Sequence, residues 1–150
     1  MTKIVVPFPV SVNRLYIKGR GKRSKTLSQS GRRYYRLIAA YLKGKLGPVD
    51  YPLRVTMWLF PENNHRRDAS NYSKSLWDAM VKAEIWLDDS QIKDERYIMG
   101  AKTKHPCAVI EFTPCIDEKP MLNEVLGREL TEQEQTHFTQ WVTTMKVLNK

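Results

Sequence analysis

The segment "LRVTMWLF", residues 53–60, decides the fold, because its side chains alternate in direction and it is enriched in β-branched and aromatic residues. It predicts a β-strand. A second segment, "AVIEFT" at 108–113, alternates more cleanly and predicts another strand. Between them the sequence predicts a helix over about 71–83 and a strand around 95–102. Strands that flank a helix in this way are typical of a sheet with helices packed against it.

The segments before residue 53 extend this pattern. Residues 3–8 predict a strand, and the apolar spacing over residues 32–46 predicts a helix that packs on the sheet and ends at Gly47-Pro48. The predicted order is strand, basic loop with possible short strands at 15–17 and 25–27, helix, strand, helix, strand, strand. We therefore expect an α/β (α+β) fold with a mixed sheet flanked by helices.

The pattern changes after Pro114. Residues 115–130 are predicted to be irregular, whereas residues 131–148 predict a helix that begins with a capping box, since Thr131 stands three positions before Glu134. The apolar side chains of this helix share one face, which favours docking onto the body or onto a second subunit. We therefore expect a domain over residues 1–116 and an appended C-terminal helical extension over residues 117–150.

The charge is distributed unevenly along a chain whose formal net charge is +9. Residues 1–50 contain twelve Lys or Arg and one Asp, whereas residues 51–116 contain nine residues of each sign. A basic block beside a neutral block rich in aspartate favours a surface that binds a polyanion, with nucleic acid as the expected partner. The alternative is a solvated basic face without a partner.

Other features exclude further classes of protein. No apolar run approaches the roughly 20 residues of a membrane helix, and the prolines near the N-terminus do not fit a secretory signal. Cys107 and Cys115 lack the CxxC spacing, so we expect reduced thiols in a cytoplasmic protein without a membrane partner. In "GRGKRSKT", residues 19–26, Arg23 stands where a phosphate-binding loop requires Ser or Thr.

The acidic residues of the neutral block predict a metal site. Asp68 precedes the helix predicted over 71–83, and Asp88 and Asp89 follow that helix. Because a β-α-β unit returns the chain, we expect Asp68 and Asp89 to converge on an oxygen-rich site of the kind that Mg²⁺ prefers. Spacing alone slightly favours the plainer alternative, in which Asp68 is a helix cap and Asp88-Asp89 a turn.

Lys74 is the candidate for stabilising charge on a phosphate. It lies on the polar side of the predicted helix, near the end at which Asp68 stands. In the alternative, Lys74 and Asp78 form an ordinary pair of charges four residues apart, which is the commoner outcome on a helix.

Four blocks, taken in order, resemble the RusA family of Holliday junction resolvases. They are "PFPVSVNRLY" at 7–16, the Ser28-x-x-Gly31 step, "RRDASNYSKSLWDAM" at 66–80 and "IWLDDSQI" at 85–92. The likeness spans about residues 4–114 and implies that residues 1–116 form a RusA-like nuclease domain. It implies a homodimer that binds four-way DNA junctions and cuts them with Mg²⁺, for which Mn²⁺ can substitute. It also implies that Asp68 and Asp89 are catalytic aspartates and that Lys74 is the functional lysine.

One position departs from the family pattern. Where that pattern is D-x-D-N, this chain has Asp68-Ala69-Ser70-Asn71, so a hydroxyl replaces the middle carboxylate. Ser70 acting through a water, Asp88 filling in, and a one-metal site of weaker affinity are the alternatives that remain. The competing class is a non-catalytic junction-binding or architectural protein. The residues expected to contact DNA are Asn13, Arg14, Lys18, Arg20, Lys22, Arg23, Lys25, Arg66, Arg67 and Asn71.

Overall fold

A computed structural model describes residues 1–21, 24–116 and 119–148, and the chain divides into two compact units, Met1–Ile116 and Asp117–Lys150. The strands of the first unit are β1 (Thr2–Pro7), β2 (Tyr16–Lys18), β3 (Lys25–Leu27), β4 (Leu53–Phe60), β5 (Ile92–Met99) and β6 (Cys107–Pro114). Its helices are α1 (Val12–Leu15), α2 (Gln29–Leu42) and α3 (Ser73–Lys82).

Four strands form a mixed sheet in the order β1-β6-β4-β5, which confirms the predicted fold class. β4 and β5 are parallel, whereas the other two neighbouring pairs are antiparallel. Alternate side chains of β4 and β6 are buried, as the alternation of their sequences predicts. Cys107 and Cys115 are free thiols. The short strands β2 and β3 pair as a separate antiparallel hairpin, close to where the sequence suggested short strands.

Helix α2 differs from its prediction in both its bounds and its buried face. It begins after Ser28, whose hydroxyl accepts the N–H of Gly31, and it ends at Leu42 because Gly44 adopts a left-handed conformation with φ of +72°. The predicted end at Gly47-Pro48 is therefore wrong. Tyr35 is buried in the core, while Leu37, one of the apolar residues whose spacing over 32–46 predicts the helix, is half exposed.

Helix α3 connects the parallel strands β4 and β5 and packs against α2. A 3-10 turn over Ala69–Tyr72 precedes it, so the helix predicted from residue 71 starts in a tighter form. The indole N–H of Trp77 donates to the Glu95 carboxylate at 3.0 Å. The strand that follows starts at Ile92 rather than near residue 95, since Ile92 already pairs with the first residue of β4.

The second unit contains two helices in its described part, α4 (Leu122–Leu126) and α5 (Glu132–Leu148). The prediction of irregular structure is therefore wrong over α4. The capping box of α5 is confirmed, because the Thr131 backbone N–H donates to Glu134 at 2.9 Å and the Glu134 N–H donates to the Thr131 hydroxyl at 3.2 Å. Hydrogen bonds from the Arg128 guanidinium lower the pKa of Glu134 to about 2.

The apolar side chains of α5 are exposed within its own unit, Trp141 by 63% of its surface. Their docking onto another surface stays a prediction. Within the residues that the structure describes, no helix combines the length and the apolar character needed to cross a membrane.

Candidate active site and nucleic-acid interface

A surface cavity of about 480 Å³ brings together three of the residues predicted from the sequence, namely Lys74, Asp88 and Asp89. We call it the acidic cavity, and its lining residues are Tyr16, Leu27, Tyr35, Lys74, Asp78, Val81, Lys82, Asp88 and Asp89. The lining therefore combines carboxylates with two lysines and two tyrosines. Such a set can hold a cation and an anion side by side.

Gln91 holds the segment that carries the two cavity aspartates. Its side-chain oxygen accepts the backbone N–H groups of Leu87 at 2.8 Å and Asp88 at 3.0 Å. Its side-chain nitrogen donates to the carbonyl oxygens of Val49 and Tyr51, both at 3.0 Å. One amide thus ties the turn to the chain just before β4. The sequence offered Gln91 only as part of a family motif, because its contacts with Val49 and Tyr51, 42 and 40 residues away, depend on the fold.

Asp88 and Asp89 form the turn that the plainer alternative predicted. Asp88 caps a 3-10 turn over Asp89–Gln91 and accepts the N–H of Ser90 at 2.6 Å. Hydrogen bonds from Ser90 lower the pKa of Asp88, so this carboxyl group is ionised at neutral pH. Both aspartates are exposed to solvent. A turn of this kind presents carboxylate oxygens to a ligand from outside and does not conflict with a metal site.

Lys74 forms the ion pair with Asp78 that was the commoner alternative, with Nζ 2.9 Å from Oδ1. The second oxygen of Asp78 accepts the Tyr35 hydroxyl at 3.1 Å. The hydrogen bond with Asp78 raises the pKa of Lys74, and the charge of Asp89 acts in the same direction. The spacing of residues on α3 predicted the pair of Lys74 with Asp78. The hydrogen bond from Tyr35 to Asp78 could not be predicted from the sequence, because Tyr35 lies 43 residues away, on α2.

Asp68 lies at the other end of α3 from Asp88 and Asp89. It caps the 3-10 turn before α3, as the cap alternative predicted, and its Oδ1 accepts the N–H of Ser70 at 3.1 Å and the Ser70 hydroxyl at 2.8 Å. α3, which has ten residues and is about 15 Å long, lies between the two acidic positions along the chain. The Ser70 hydroxyl thus points at Asp68, and Asp68 rather than Ser70 is the cap of the turn.

A second cavity, of about 500 Å³, gathers the arginines that precede Asp68. Arg14, Arg66 and Arg67 line it together with His65 and Tyr72, and we call it the arginine cavity. The guanidinium of Arg67 donates to the carbonyl of Asn63 at 3.0 Å and to its side-chain oxygen at 2.6 Å, so this arginine also shapes the loop. Asn71, also predicted to contact DNA, is half-buried in the neighbouring 3-10 turn.

A third cavity, of about 420 Å³, lies on the β2–β3 hairpin and brings together Asn13, Lys18 and Lys25. Lys18 and Lys25 are directly opposite each other on the two strands. Like charges in that position repel each other, so a bound anion between them is favourable. Arg20 is exposed beyond β2, and Lys22 and Arg23 lie outside the described residues. Tyr16 lines both this cavity and the acidic cavity, so the two are adjacent.

Comparison with known proteins identifies relatives of the first unit. The family model described as Endodeoxyribonuclease RusA matches residues 7–112, a range that includes every residue lining the three cavities. The crossover junction endodeoxyribonuclease rusA of Enterobacteria phage 82 is 33% identical over 103 residues, which cover 67% of this chain and 84% of that protein. The RusA protein of Escherichia coli K12 is 32% identical over the same coverage. That of Escherichia coli O139:H28 is 30% identical over 117 residues, which cover 77% of this chain and 96% of the relative.

Proposed function

Because the chain belongs to the RusA family of endodeoxyribonucleases, we propose that this nuclease resolves four-way DNA junctions by Mg²⁺-dependent hydrolysis of phosphodiester bonds. The observation that carries the proposal is the position of the acidic cavity beside the β2–β3 hairpin with Lys18 and Lys25, which we call the basic hairpin. DNA that follows the hairpin reaches carboxylates, which repel phosphate unless a cation stands between them. This arrangement suits a metal-dependent nuclease better than a surface that only attracts DNA.

The oxygen donors of the acidic cavity fit a divalent cation. Asp88 and Asp89 are exposed carboxylates on a segment that Gln91 holds in place, and Mg²⁺ commonly takes one or two carboxylates together with water and substrate phosphate. No cluster of three or more His, Cys, Asp or Glu side chains that could hold a metal ion occurs among residues 1–21, 24–116 and 119–148. When bound, Mg²⁺ would supply Lewis-acid stabilisation of the phosphate and a water of lowered pKa, and Mn²⁺ would be a substitute.

We assign Asp68 and Asp89 as the metal-binding aspartates and place them in a homodimer. In one copy of the chain the two lie at opposite ends of α3. A second copy that brought its own Asp68 to the acidic cavity would complete the ligand set without a change in the fold. A two-fold dimer also presents two sites related by the approximate symmetry of a four-way junction. Ser70, which donates to Asp68, would then orient that carboxylate toward the ion.

The basic side chains have two tasks in this proposal. Lys74 faces the acidic cavity and stabilises the negative charge that develops on the phosphate during cleavage. The side chains of the other two cavities bind the DNA backbone and set its path, since most contacts of this kind go to phosphate. The proposed backbone contacts of the described residues are Asn13, Arg14, Lys18, Arg20, Lys25, Arg66, Arg67 and Asn71.

The test is single-turnover cleavage of a synthetic four-way junction in Mg²⁺, in Mn²⁺ and in EDTA, with a linear duplex of the same sequence as the control. We expect cutting of the junction only, and only with a divalent ion. Asp68→Asn and Asp89→Asn should abolish cutting and leave junction binding equal or tighter, because each removes a charge that repels phosphate. Asp94→Asn, which breaks an ion pair with Arg54 on β4 and β5, is the control for loss of a carboxylate.

Two further measurements separate the alternatives. Lys74→Ala should slow cutting on the order of a hundredfold, as loss of one preorganised charge commonly does.

A mixture of the Asp68→Asn and Asp89→Asn proteins should regain cutting if each site takes Asp68 from one copy and Asp89 from the other, because a mixed dimer then carries one intact site. Tight binding of the junction by the unmodified protein without cutting in either metal ion would favour a non-catalytic junction-binding protein, the class that Ser70 in place of a carboxylate suggests.

A further inference from the structure

We propose that Asp78 and Tyr35 are positioning residues that hold Lys74 in the acidic cavity, an inference that rests on the role of Lys74 in the proposed function. The feature behind it is a chain of two hydrogen bonds. The Tyr35 hydroxyl donates to one oxygen of Asp78 at 3.1 Å, and Lys74 Nζ donates to the other at 2.9 Å. All three residues line the same cavity.

The burial of Tyr35 distinguishes this chain from an ordinary surface ion pair. Tyr35 is only 5% exposed and belongs to the core, where α2 packs against α3. Its hydroxyl therefore donates from a position held by core packing and orients the Asp78 carboxylate, whose other oxygen accepts the hydrogen bond of Lys74. A lysine on an exposed helix face loses considerable side-chain entropy when it adopts one conformation. The buried tyrosine helps to offset that loss, because the carboxylate is already oriented before the lysine binds it.

The position of Lys74 matters because of its neighbours in the cavity. The charged and titratable groups that face it there are Tyr16, Tyr35, Asp78, Lys82, Asp88 and Asp89. Without Asp78, Asp89 would be the carboxylate that attracts the ammonium group, and the lysine would occupy the place that a metal ion takes in the proposed function. Asp78 thus keeps Lys74 in the cavity and away from the ligands of the ion.

The experiment compares Asp78→Asn, Tyr35→Phe and Asp78→Glu with Lys74→Ala in single-turnover cleavage of a four-way junction, with the dissociation constant of the junction measured for each. Asp78→Asn should slow cutting on the order of tenfold to a hundredfold and change binding little, because a group displaced by about 1 Å loses about that much. Tyr35→Phe, which keeps the ring in the core, should slow it by less. Asp78→Glu should restore part of the rate, since a glutamate at the same spacing can still pair with the lysine.

The double variant decides whether Asp78 acts through Lys74. If it does, adding Asp78→Asn to Lys74→Ala should slow cutting no further, whereas independent effects would multiply. The matched control is Glu111→Gln, because Glu111 pairs with Lys3 at the same 2.9 Å and its side chain is 22% exposed, against 21% for Asp78. It should leave the cutting rate unchanged and lower the urea midpoint no more than Asp78→Asn, because Asp78 also accepts the Tyr35 hydroxyl.

The failures of the two proposals are distinguishable. If Lys74→Ala slows cutting while Asp78→Asn and Tyr35→Phe cut at the rate of the unmodified protein, this inference alone is overturned. An Asp78→Asn protein that is less stable but cuts at an unchanged rate would also overturn this inference alone. A Lys74→Ala protein that cuts normally would overturn both the catalytic assignment of the lysine and this inference.

Discussion

The substitution Gln91→Leu should loosen the turn that carries Asp88 and Asp89. Leucine has nearly the same size as glutamine, but it removes all four hydrogen bonds of the amide. A net contribution of roughly 0.5–1.5 kcal/mol for each bond, taken at the low end because Gln91 is half-buried, gives a loss of about 2–3 kcal/mol. For a chain of this length that corresponds to a fall in melting temperature of roughly 5–10 °C.

Two assays test this expectation. Urea unfolding gives the free energy of unfolding, and a magnesium titration of junction cleavage gives the concentration for half-maximal cutting, which should rise because the two carboxylates are less well held. Gln29→Leu is the matched control, since Gln29 is exposed at the first position of α2 and its replacement should change stability by less than about 0.5 kcal/mol. An unfolding free energy that Gln91→Leu leaves unchanged would refute the reasoning. A lower stability with an unchanged magnesium midpoint would separate the turn from the metal site.

Three other substitutions have defined outcomes. Ser70→Asp should lower the Mg²⁺ concentration for half-maximal cutting, because hard cations favour carboxylate over hydroxyl, and an unchanged midpoint would exclude Ser70 from the metal site. Replacing both Lys18 and Lys25 with Gln should weaken junction binding and flatten its dependence on salt by roughly one unit for each lost phosphate contact, whereas an unchanged slope would exclude the hairpin from the interface. The pKa of Glu134 is about 2, below its ordinary value of 4.5, so its stabilisation of α5 is present above pH 4.5 and is lost as the pH falls through about 2. The protection of backbone amides from hydrogen exchange at the start of α5 should fall as the pH drops from 4.5 to about 2, and Glu134→Gln should remove this pH dependence.

The fold was predictable where local pattern and burial agree. β4 and β6 alternate in sequence and in burial, and the capping box of α5 needs only residues that are close in the chain. The end of α2 was not predictable in the same way, since both Gly44 and Gly47 can stop a helix and only the structure shows which one adopts the left-handed conformation. Tyr35 is buried in the core and donates to Asp78 on α3, a contact that the periodicity of α2 alone does not reveal.

The candidate site was predictable in part, for a reason of sheet geometry. The sequence predicted that Lys74, Asp88 and Asp89 are functional, and the structure brings the three to one cavity. It could not give the position of Asp68, because that depends on β5 being parallel to β4. In a parallel pair, the connecting helix starts beyond the C-terminal end of the first strand and returns to the N-terminal end of the second, so residues before and after α3 lie at opposite ends of the strands. The family motif names Asp68 and Asp89 together but carries no information about how far apart they lie in the fold.

Ser28 joins the two ends of the basic hairpin to the body of the domain, so the hairpin can be exchanged as a unit. The Ser28 N–H donates to the carbonyl of Leu15 at 2.8 Å, and its hydroxyl donates to that of Arg14 at 2.6 Å, so both ends of residues 16–27 meet at one point on the body. A Cβ on Gly31 would lie only 3.0 Å from the same Leu15 carbonyl, so the close approach of α2 to Leu15 depends on the missing side chain of Gly31. Lengthening a loop whose ends are already joined costs little free energy. Exchanging residues 17–26 between relatives, with Tyr16 and Leu27 kept because they line the acidic cavity, should therefore transfer preferences for DNA without rebuilding the sheet or α3.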